Sequence, residues 1–281
     1  MKIFAKVVDI QRHIEILKSE KKQIGFIPTM GALHEGHLSL IRRAQTEVDI
    51  TVVSIFVNPT QFNDKSDFDK YPVMIDEDKE KLMTVKCDIL FLPSVAEMYE
   101  NNLLTVTPID IGFLDTILEG AKRPGHYTGV VTIVEKLFRV ISPDRVYMGL
   151  KDFQQVKVIE KLIRDRAFPI QMVGCPTLRE RNGLAMSSRN MRLTDLGREQ
   201  ASEIYQALVY VKKYQGKDSP KKTIANAIHH DIKIAEVEYF ELRNAADLSE
   251  VNLEKWDKTI RYVALFAGKI EGVRLIDNLE F

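Results

Sequence analysis

The chain has 281 residues, 45% of them apolar, which suits one large domain or two smaller ones with a substantial core. Its 40 basic and 40 acidic residues balance, which argues against a nucleic-acid partner and against a membrane-surface role. Only two cysteines, Cys87 and Cys175, are present, far apart and in apolar surroundings, so a reducing cytoplasm is expected and a disulfide scaffold is not. The start, Met1–Lys6, leads into charged residues, and we expect neither a signal peptide nor a transmembrane segment.

Helical and strand-like patterns alternate in the first 175 residues. The predicted elements are helix Val8–Glu20, strand Ile24–Ile27, helix His37–Glu47, strand Ile50–Val57, helix Met74–Lys86, strand Asp88–Leu92, helix Val130–Val140, strand Arg145–Met148, helix Asp152–Arg166 and strand Ile170–Gly174. The near-continuous apolar run Ile50–Val57 is typical of a central parallel strand. The alternation predicts an α/β fold with a doubly wound, Rossmann-like parallel sheet over residues 1–175, whose functional loops follow the strands.

The pattern changes after about Asn190. It predicts helices Asp195–Lys213, with Thr194 as a candidate N-cap, and Lys221–His230, and then strands Val237–Leu242, Tyr262–Ala267 and Val273–Ile276. Gly268 and Gly272 bracket a predicted turn between the last two strands. We therefore expect a smaller α+β lid domain over residues 176–281, joined to the first domain by a hinge near residues 175–190.

The most informative stretch is Pro28–His37, which follows an apolar strand and reads Pro-Thr-Met-Gly-Ala-Leu-His-Glu-Gly-His. A helix start exposes unpaired N–H groups and carries the positive end of the helix dipole, so it is suited to bind phosphate. His34 and His37, placed there, can donate hydrogen bonds to phosphoryl oxygens. The strand–turn–helix setting therefore favours phosphate chemistry.

Two other interpretations of these histidines stay open. A zinc-protease site needs histidines four residues apart on one helical face, whereas His34 and His37 are three apart, with Gly36 between them. Alternatively, the two histidines only cap the helix, which leaves the positions of Gly31 and Gly36 unexplained.

Four further motifs carry polar groups, and each has a purely structural alternative. In Val57–Phe62, Asn58 and Gln61 suit a substrate bearing hydroxyl or carboxylate groups, although an ordinary Asn-Pro turn explains this motif equally. In Arg123–Gly129, Arg123 and His126 suit an anion, or the segment is a loop whose N-cap is Thr128.

In Gly149–Gln155, Lys151 can neutralise phosphate charge, while Asp152 and Gln155 also match a capping box. In Met186–Asn190, two hydroxyls and a guanidinium suit a triphosphate, or the segment is a mobile surface loop. Polar groups that recur after successive strands favour a functional interpretation.

Together these motifs are similar to those of the pantothenate synthetase (pantoate–β-alanine ligase) family, in the nucleotidylyltransferase superfamily. The resemblance covers essentially the whole chain. It rests on Pro28–His37, Phe56–Phe62, Arg123–Gly129, Lys151–Gln155, Met186–Asn190 and the closing Arg274–Asn278.

The resemblance implies an ATP-dependent ligase that condenses (R)-pantoate with β-alanine through a pantoyl adenylate, releasing pyrophosphate and AMP. It implies Mg²⁺ as cofactor and a cytoplasmic homodimer. The implied ATP-binding residues are Met30, Gly31, Ala32, Leu33, His34, Glu35, Gly36, His37, Gly149, Leu150, Lys151, Asp152, Leu178, Met186, Ser187, Ser188 and Arg189. The implied catalytic residues are His37 as proton donor, His34, Lys151, Ser187, Ser188 and Arg189.

For the other substrates, the resemblance implies that Gln61 and Gln155 bind pantoate and that Gln61 lies near β-alanine. Asn58, Arg123 and His126 are further candidates for substrate binding, and Asp78 is the implied metal-linked residue. The alternatives are another nucleotidylyltransferase with the same core, acting on a phosphorylated acceptor, and a nucleotide-binding regulatory module without catalysis. The neutral pair Gln61 and Gln155 argues against the first, and the full set of phosphate-binding side chains argues against the second.

Overall fold

The computed structural model describes residues 1–62, 68–99 and 109–281. The chain forms two compact units. The N-terminal unit consists of residues 1–150 and 154–176, and the C-terminal unit of residues 151–153 and 177–281.

A six-stranded parallel sheet forms the centre of the N-terminal unit. Its strands are β1 (Lys2–Phe4), β2 (Ile24–Thr29), β3 (Ile50–Ile55), β4 (Ile89–Phe91), β5 (Arg145–Gly149) and β6 (Gln171–Cys175). The strand order is β1-β4-β3-β2-β5-β6. The order reverses between β2 and β5, and ligands of open α/β sheets bind outside the carboxyl ends of the strands at such a point. The residues after β2 are therefore at the position where a ligand is expected.

The helices of the described part of the N-terminal unit are α1 (Val7–Ser19), α2 (Glu35–Gln45), α3 (Ile75–Thr84), α4 (Val95–Met98), α5 (Leu118–Lys122), α6 (His126–Ile141) and α7 (Phe153–Asp165). Short 3₁₀ helices span Pro59–Gln61 and Gly112–Asp115, and a third, Leu150–Asp152, includes two residues of the C-terminal unit. Ile41 of α2 and Leu82 of α3 pack with Ile27, Val53 and Leu90 of the sheet in one buried cluster. Leu33, in the turn that follows β2, belongs to the same cluster.

The C-terminal unit contains a three-stranded antiparallel sheet in the order β7 (Glu236–Asn244), β8 (Tyr262–Ile270), β9 (Val273–Glu280). Its helices are α8 (Asp195–Gln200), α9 (Ser202–Lys213) and α10 (Pro220–Asp231), and a 3₁₀ helix spans Ser188–Arg192. Ile204 and Leu208 of α9 pack against Phe240, Tyr262 and Phe266 of the sheet. The predicted fold class, a parallel α/β domain followed by a smaller α+β part, is confirmed.

Some details differ from the prediction. The single helix predicted over Asp195–Lys213 is two helices, because the chain turns at the completely buried Ala201. Thr194 is the N-cap of the first, as predicted, and accepts a hydrogen bond from the Gly197 N–H at 3.0 Å. The hairpin turn between β8 and β9 contains Gly272, at a φ of 71°, whereas Gly268 lies inside β8.

Candidate active site

The turn after β2 has an unusual backbone conformation that one carboxylate holds in place. Gly31 and Ala32 both have left-handed backbone angles, with φ of 83° and 49°, and a non-glycine residue in that region is strained. Asp78 of α3, completely buried, accepts the Ala32 N–H at 2.8 Å and the Leu33 N–H at 2.7 Å. Burial raises the pKa of Asp78, and the two N–H groups oppose that rise. Asp78 thus fixes the shape of the β2–α2 turn, residues 30–34.

Two more side chains hold this β2–α2 turn. The Lys81 ammonium donates to the Leu33 carbonyl at 2.7 Å. The Thr29 hydroxyl accepts the Gly31 N–H at 3.2 Å and donates to the Ser54 carbonyl at 2.7 Å. The turn is therefore tied to both α3 and β3 before any ligand binds, which reduces the ordering that binding requires.

His34 and His37 cap the start of α2 reciprocally. His34 is the N-cap, and its Nδ1 accepts the Gly36 N–H at 3.1 Å, while His37 Nδ1 accepts the His34 N–H at 3.3 Å. A neutral imidazole that accepts at Nδ1 carries its hydrogen on Nε2. Capping thus sets both rings in the tautomer that donates from Nε2. Glu35, between them, pairs instead with Arg42 at 2.9 Å on the exposed surface.

The capping interpretation and the phosphate interpretation of these histidines are therefore compatible. The two ring centroids lie 4.1 Å apart, so the rings form one cluster at the helix start. Among the described residues, no group of three or more His, Cys, Asp or Glu side chains could hold a metal ion.

The 3₁₀ helix after β3 presents Gln61, and the buried Asn58 orients it. The Asn58 amide donates to Gln61 Oε1 at 3.2 Å and to the Gly129 carbonyl at 3.1 Å, and its oxygen accepts from the Tyr99 hydroxyl at 2.7 Å. Because Gln61 Oε1 faces Asn58, the Gln61 amide nitrogen points the other way and lies 2.8 Å from Met30 Sδ. Gln61 and the β2–α2 turn are therefore neighbours.

His126, at the start of α6, and the nearby Arg123 support the Pro59–Gln61 helix. A guanidinium can only donate, so Arg123 Nη1 donates to His126 Nε2 at 3.1 Å, and His126 Nδ1–H donates to the Gln61 carbonyl at 2.8 Å. Gly129 lets helix and segment approach closely, since a Cβ there would lie 2.2 Å from the Thr60 carbonyl oxygen. Helix α6 begins at His126, so Thr128 is not its N-cap.

Two consecutive glutamines after β5, Gln154 and Gln155, lie in different surroundings. Gly149 ends β5 and Leu150 opens a short 3₁₀ helix. Gln154, which is 3% exposed, makes three hydrogen bonds of 2.7–3.0 Å to the main chain of residues 114–119. Gln155, the predicted pantoate ligand, is the next residue and is only partly buried.

In the C-terminal unit, the predicted phosphate-binding loop, Met186–Asn190, makes local hydrogen bonds. The Met186 N–H donates to the Leu178 carbonyl at 3.0 Å, and Leu178 is exposed. Ser187 caps the following 3₁₀ helix by accepting the Arg189 N–H at 3.3 Å, and Ser188 is buried. The segment therefore has local hydrogen-bonded structure, and its proposed role in binding phosphate stays a prediction.

Lys151 and Asp152 group with the C-terminal unit. The Lys151 ammonium lies 3.7 Å from the Asp152 carboxylate, and the Lys151 carbonyl accepts from the Asn278 side chain at 2.7 Å. Sequence reasoning missed the hydrogen bonds that Tyr99, Gln154 and Asn278 make. Asn278 alone carried a signal, since it ends the closing motif that fits the family.

The cysteines are not candidate nucleophiles. Cys87 and Cys175 are both buried, and burial raises the pKa of each thiol to about 11. Thiols rather than thiolates are present near neutral pH.

The described helices include none with the length and apolar character that a bilayer crossing requires.

Comparison with known proteins identifies the family. A family model described as pantoate-beta-alanine ligase matches residues 2–280. The chain belongs to this family. A pantothenate synthetase of Cytophaga hutchinsonii is 47% identical over 279 residues, which are 97% of this chain and 96% of that one.

Solved structures of the family share the fold. A pantothenate synthetase of Thermus thermophilus superposes with a TM-score of 0.89 at 36% identity, with 99% of both chains covered. A pantoate-beta-alanine ligase of Francisella tularensis, solved with beta-gamma ATP and beta-alanine, has a TM-score of 0.79 at 36% identity and covers 99% of this chain and 97% of its own. The predicted family and the predicted ATP-dependent ligation of pantoate with β-alanine are confirmed.

Proposed function

We propose that this ligase activates pantoate at the β2–α2 turn. The pantoate carboxylate attacks the α-phosphorus of ATP, the bond to pyrophosphate breaks, and pantoyl adenylate forms. The β-alanine amine then attacks the acyl carbon, and AMP leaves as pantothenate forms. The observation that carries this proposal is the reciprocal cap of His34 and His37, which sets both rings to donate from Nε2 at a helix start.

Neither step requires a nucleophile from the protein. Two anions must be aligned, and the charge that develops on the transferring phosphoryl group must be stabilised. We assign this stabilisation to His34 and His37 and to the predicted ATP ligands Lys151, Ser187, Ser188 and Arg189. His37 is the proposed proton donor. The remaining predicted ATP contacts are Met30–Gly36, Gly149, Leu150, Asp152, Leu178 and Met186.

Gln61 and Gln155 are the proposed pantoate ligands. The contacts of Asn58 and His126 with Gln61 support a positioning role for both residues, with Arg123 acting through His126. An amide that is fixed in this way recognises hydroxyl and carboxylate groups without adding charge. The Francisella tularensis complex supports ATP and β-alanine as ligands.

Mg²⁺ is proposed as the counter-ion that arrives with ATP, since Mg²⁺ commonly keeps its waters and binds substrate phosphates. Asp78 does not fit direct ligation of the ion. Both of its oxygens accept N–H groups of the β2–α2 turn, and the side chain is completely buried. We therefore assign Asp78 to the turn and derive no step through the metal.

A cytoplasmic homodimer is proposed as well, from the family resemblance and the cysteine usage. Sedimentation equilibrium tests the dimer directly, and a monomer at working concentration would contradict it. The proposed lid function of the C-terminal unit and the hinge near residues 175–190 rest on the need to keep the acyl adenylate from water.

The proposal is tested by ³¹P NMR of the protein with ATP, Mg²⁺ and (R)-pantoate, with and without β-alanine. Pyrophosphate and AMP should accumulate over many turnovers only when both pantoate and β-alanine are present. Cleavage that proceeds equally with a phosphorylated acceptor would favour another nucleotidylyltransferase. A His37→Ala variant with full activity would remove the proposed role of that histidine.

A further inference from the structure

The closing motif of the chain contains a buried polar cluster that the reaction scheme above does not use. Arg179 forms a two-pronged ion pair with Asp277 of β9, and its Nη2 also donates to the Asn278 carbonyl at 3.1 Å. The Arg179 guanidinium lies 3.9 Å from the centre of the Tyr205 ring. The Asn278 N–H donates to Asp277 Oδ1 at 2.7 Å. Asp277 and Asn278 are only 5% and 6% exposed.

This cluster reaches the segment of the proposed phosphate-binding lysine through a hydrogen bond from Asn278. The side-chain amide of Asn278 donates to the main-chain carbonyl of Lys151 at 2.7 Å. Residues 151–153 group with the C-terminal unit, whereas the residues on either side of them group with the N-terminal unit. The bond from Asn278 is thus a specific attachment of this three-residue segment.

The held backbone of Asn278 lowers the entropic cost of this attachment. A buried residue whose backbone is held by a charged pair has less freedom left to lose when its side chain makes a further hydrogen bond. The Arg179–Asp277 pair fixes the backbone of Asn278 from both its N–H and its carbonyl side. A lysine side chain has four rotatable bonds, so a fixed backbone narrows the region that its ammonium can reach.

We propose that Asn278 is a positioning residue for Lys151, and that the Arg179–Asp277 pair holds Asn278 in place for this purpose. The proposal rests on the proposed role of Lys151 at the ATP phosphates. Asn278 touches neither ATP nor the acceptors in this scheme. It acts by holding the Lys151 backbone in place, so that less conformational freedom is lost when the ammonium binds the ATP phosphates.

A double-mutant cycle separates positioning from a structural role. The variants are Asn278→Ala, Lys151→Ala and the double variant, with pantoate-dependent pyrophosphate release as the assay. We expect Asn278→Ala to lower kcat/KM for ATP by about tenfold, because the carbonyl loses its buried partner. In the Lys151→Ala background, the same change should alter kcat/KM by less than about twofold, because there is no ammonium left to place. Equal losses in both backgrounds would overturn the proposal.

Asn182→Ala is the matched control. Its amide also donates to a main-chain carbonyl of the C-terminal unit, that of Arg198 at 2.9 Å instead of that of Lys151. Asn182→Ala should leave kcat/KM for ATP unchanged. A tenfold loss in this variant would show that losing any such hydrogen bond lowers activity, and would contradict a specific role of Asn278. If Asn278→Ala does not fold, Asn278→Asp, which keeps the shape and lacks the donor, takes its place in the cycle. Full activity of Lys151→Ala would instead reject the proposed role of Lys151 itself.

Discussion

Replacing Asp78 with asparagine tests how the β2–α2 turn is held. Asparagine keeps the shape of the side chain and one acceptor oxygen, but its amide nitrogen would face one of the two N–H groups that Asp78 now accepts at 2.8 and 2.7 Å. A hydrogen bond to a charged group is worth about 1.5–3 kcal/mol. The neutral asparagine avoids the cost of burying a charge, which offsets part of this loss. We therefore expect the stabilisation of the turn to fall by about 1–2 kcal/mol. The strained Ala32, with φ of 49°, is then no longer fully stabilised.

The expected result is a KM for ATP that rises by about 5- to 30-fold, since about 1.4 kcal/mol corresponds to a factor of ten. The assay is steady-state AMP formation at saturating Mg²⁺, followed by a Mg²⁺ titration at saturating ATP. The half-activating Mg²⁺ concentration should not change. Asp76→Asn is the control, because Asp76 lies on the same helix, has a side chain that is 92% exposed and pairs with Lys79 at 3.0 Å on the surface. An unchanged KM for ATP, or a shifted Mg²⁺ requirement, would refute the assignment of Asp78 to the turn.

Three further outcomes are expected. His34→Asn should keep the N-cap and the melting temperature but lower kcat by about a hundredfold, because asparagine caps well and lacks the Nε2 donor; equal loss of stability and activity would contradict this. Gly129→Ala should lower both the melting temperature and the affinity for pantoate, because its Cβ would lie 2.2 Å from the Thr60 carbonyl oxygen. Wild-type values for both would show that the close approach of α6 to the Pro59–Gln61 helix is not required. Cys87 and Cys175, with pKa values of about 11, should resist a disulfide reagent at about pH 8 in the folded protein and react in guanidinium, and fast labelling of the native protein would contradict their burial.

The sheet was predictable because burial on both faces leaves a local signal. Ile50–Ile55 is a run of apolar and β-branched residues, and it forms the central strand β3 within two residues of the prediction. The same holds for the strand before the β2–α2 turn. The first strand, Lys2–Phe4, was missed because three residues at an exposed edge carry no such pattern.

The contacts that shape the site were not predictable, because they join residues far apart in the chain. Asp78 reaches its N–H partners across 45 and 46 residues, and Asn278 reaches Lys151 across 127. Residue types at the strand ends identify the chemistry of the site. The side chains that hold those residues in place become visible only in the folded chain.

The proposal that pantoate is activated as an acyl adenylate is tested most directly by the fate of its carboxylate oxygens. The measurement is ³¹P NMR and mass analysis of the products formed from ATP, β-alanine and pantoate labelled with ¹⁸O in the carboxylate. Attack on the α-phosphorus predicts AMP that carries one ¹⁸O atom and pyrophosphate that carries none. Unlabelled AMP, or label in inorganic phosphate after attack on the γ-phosphorus, would contradict the assignment of this site to adenylate formation.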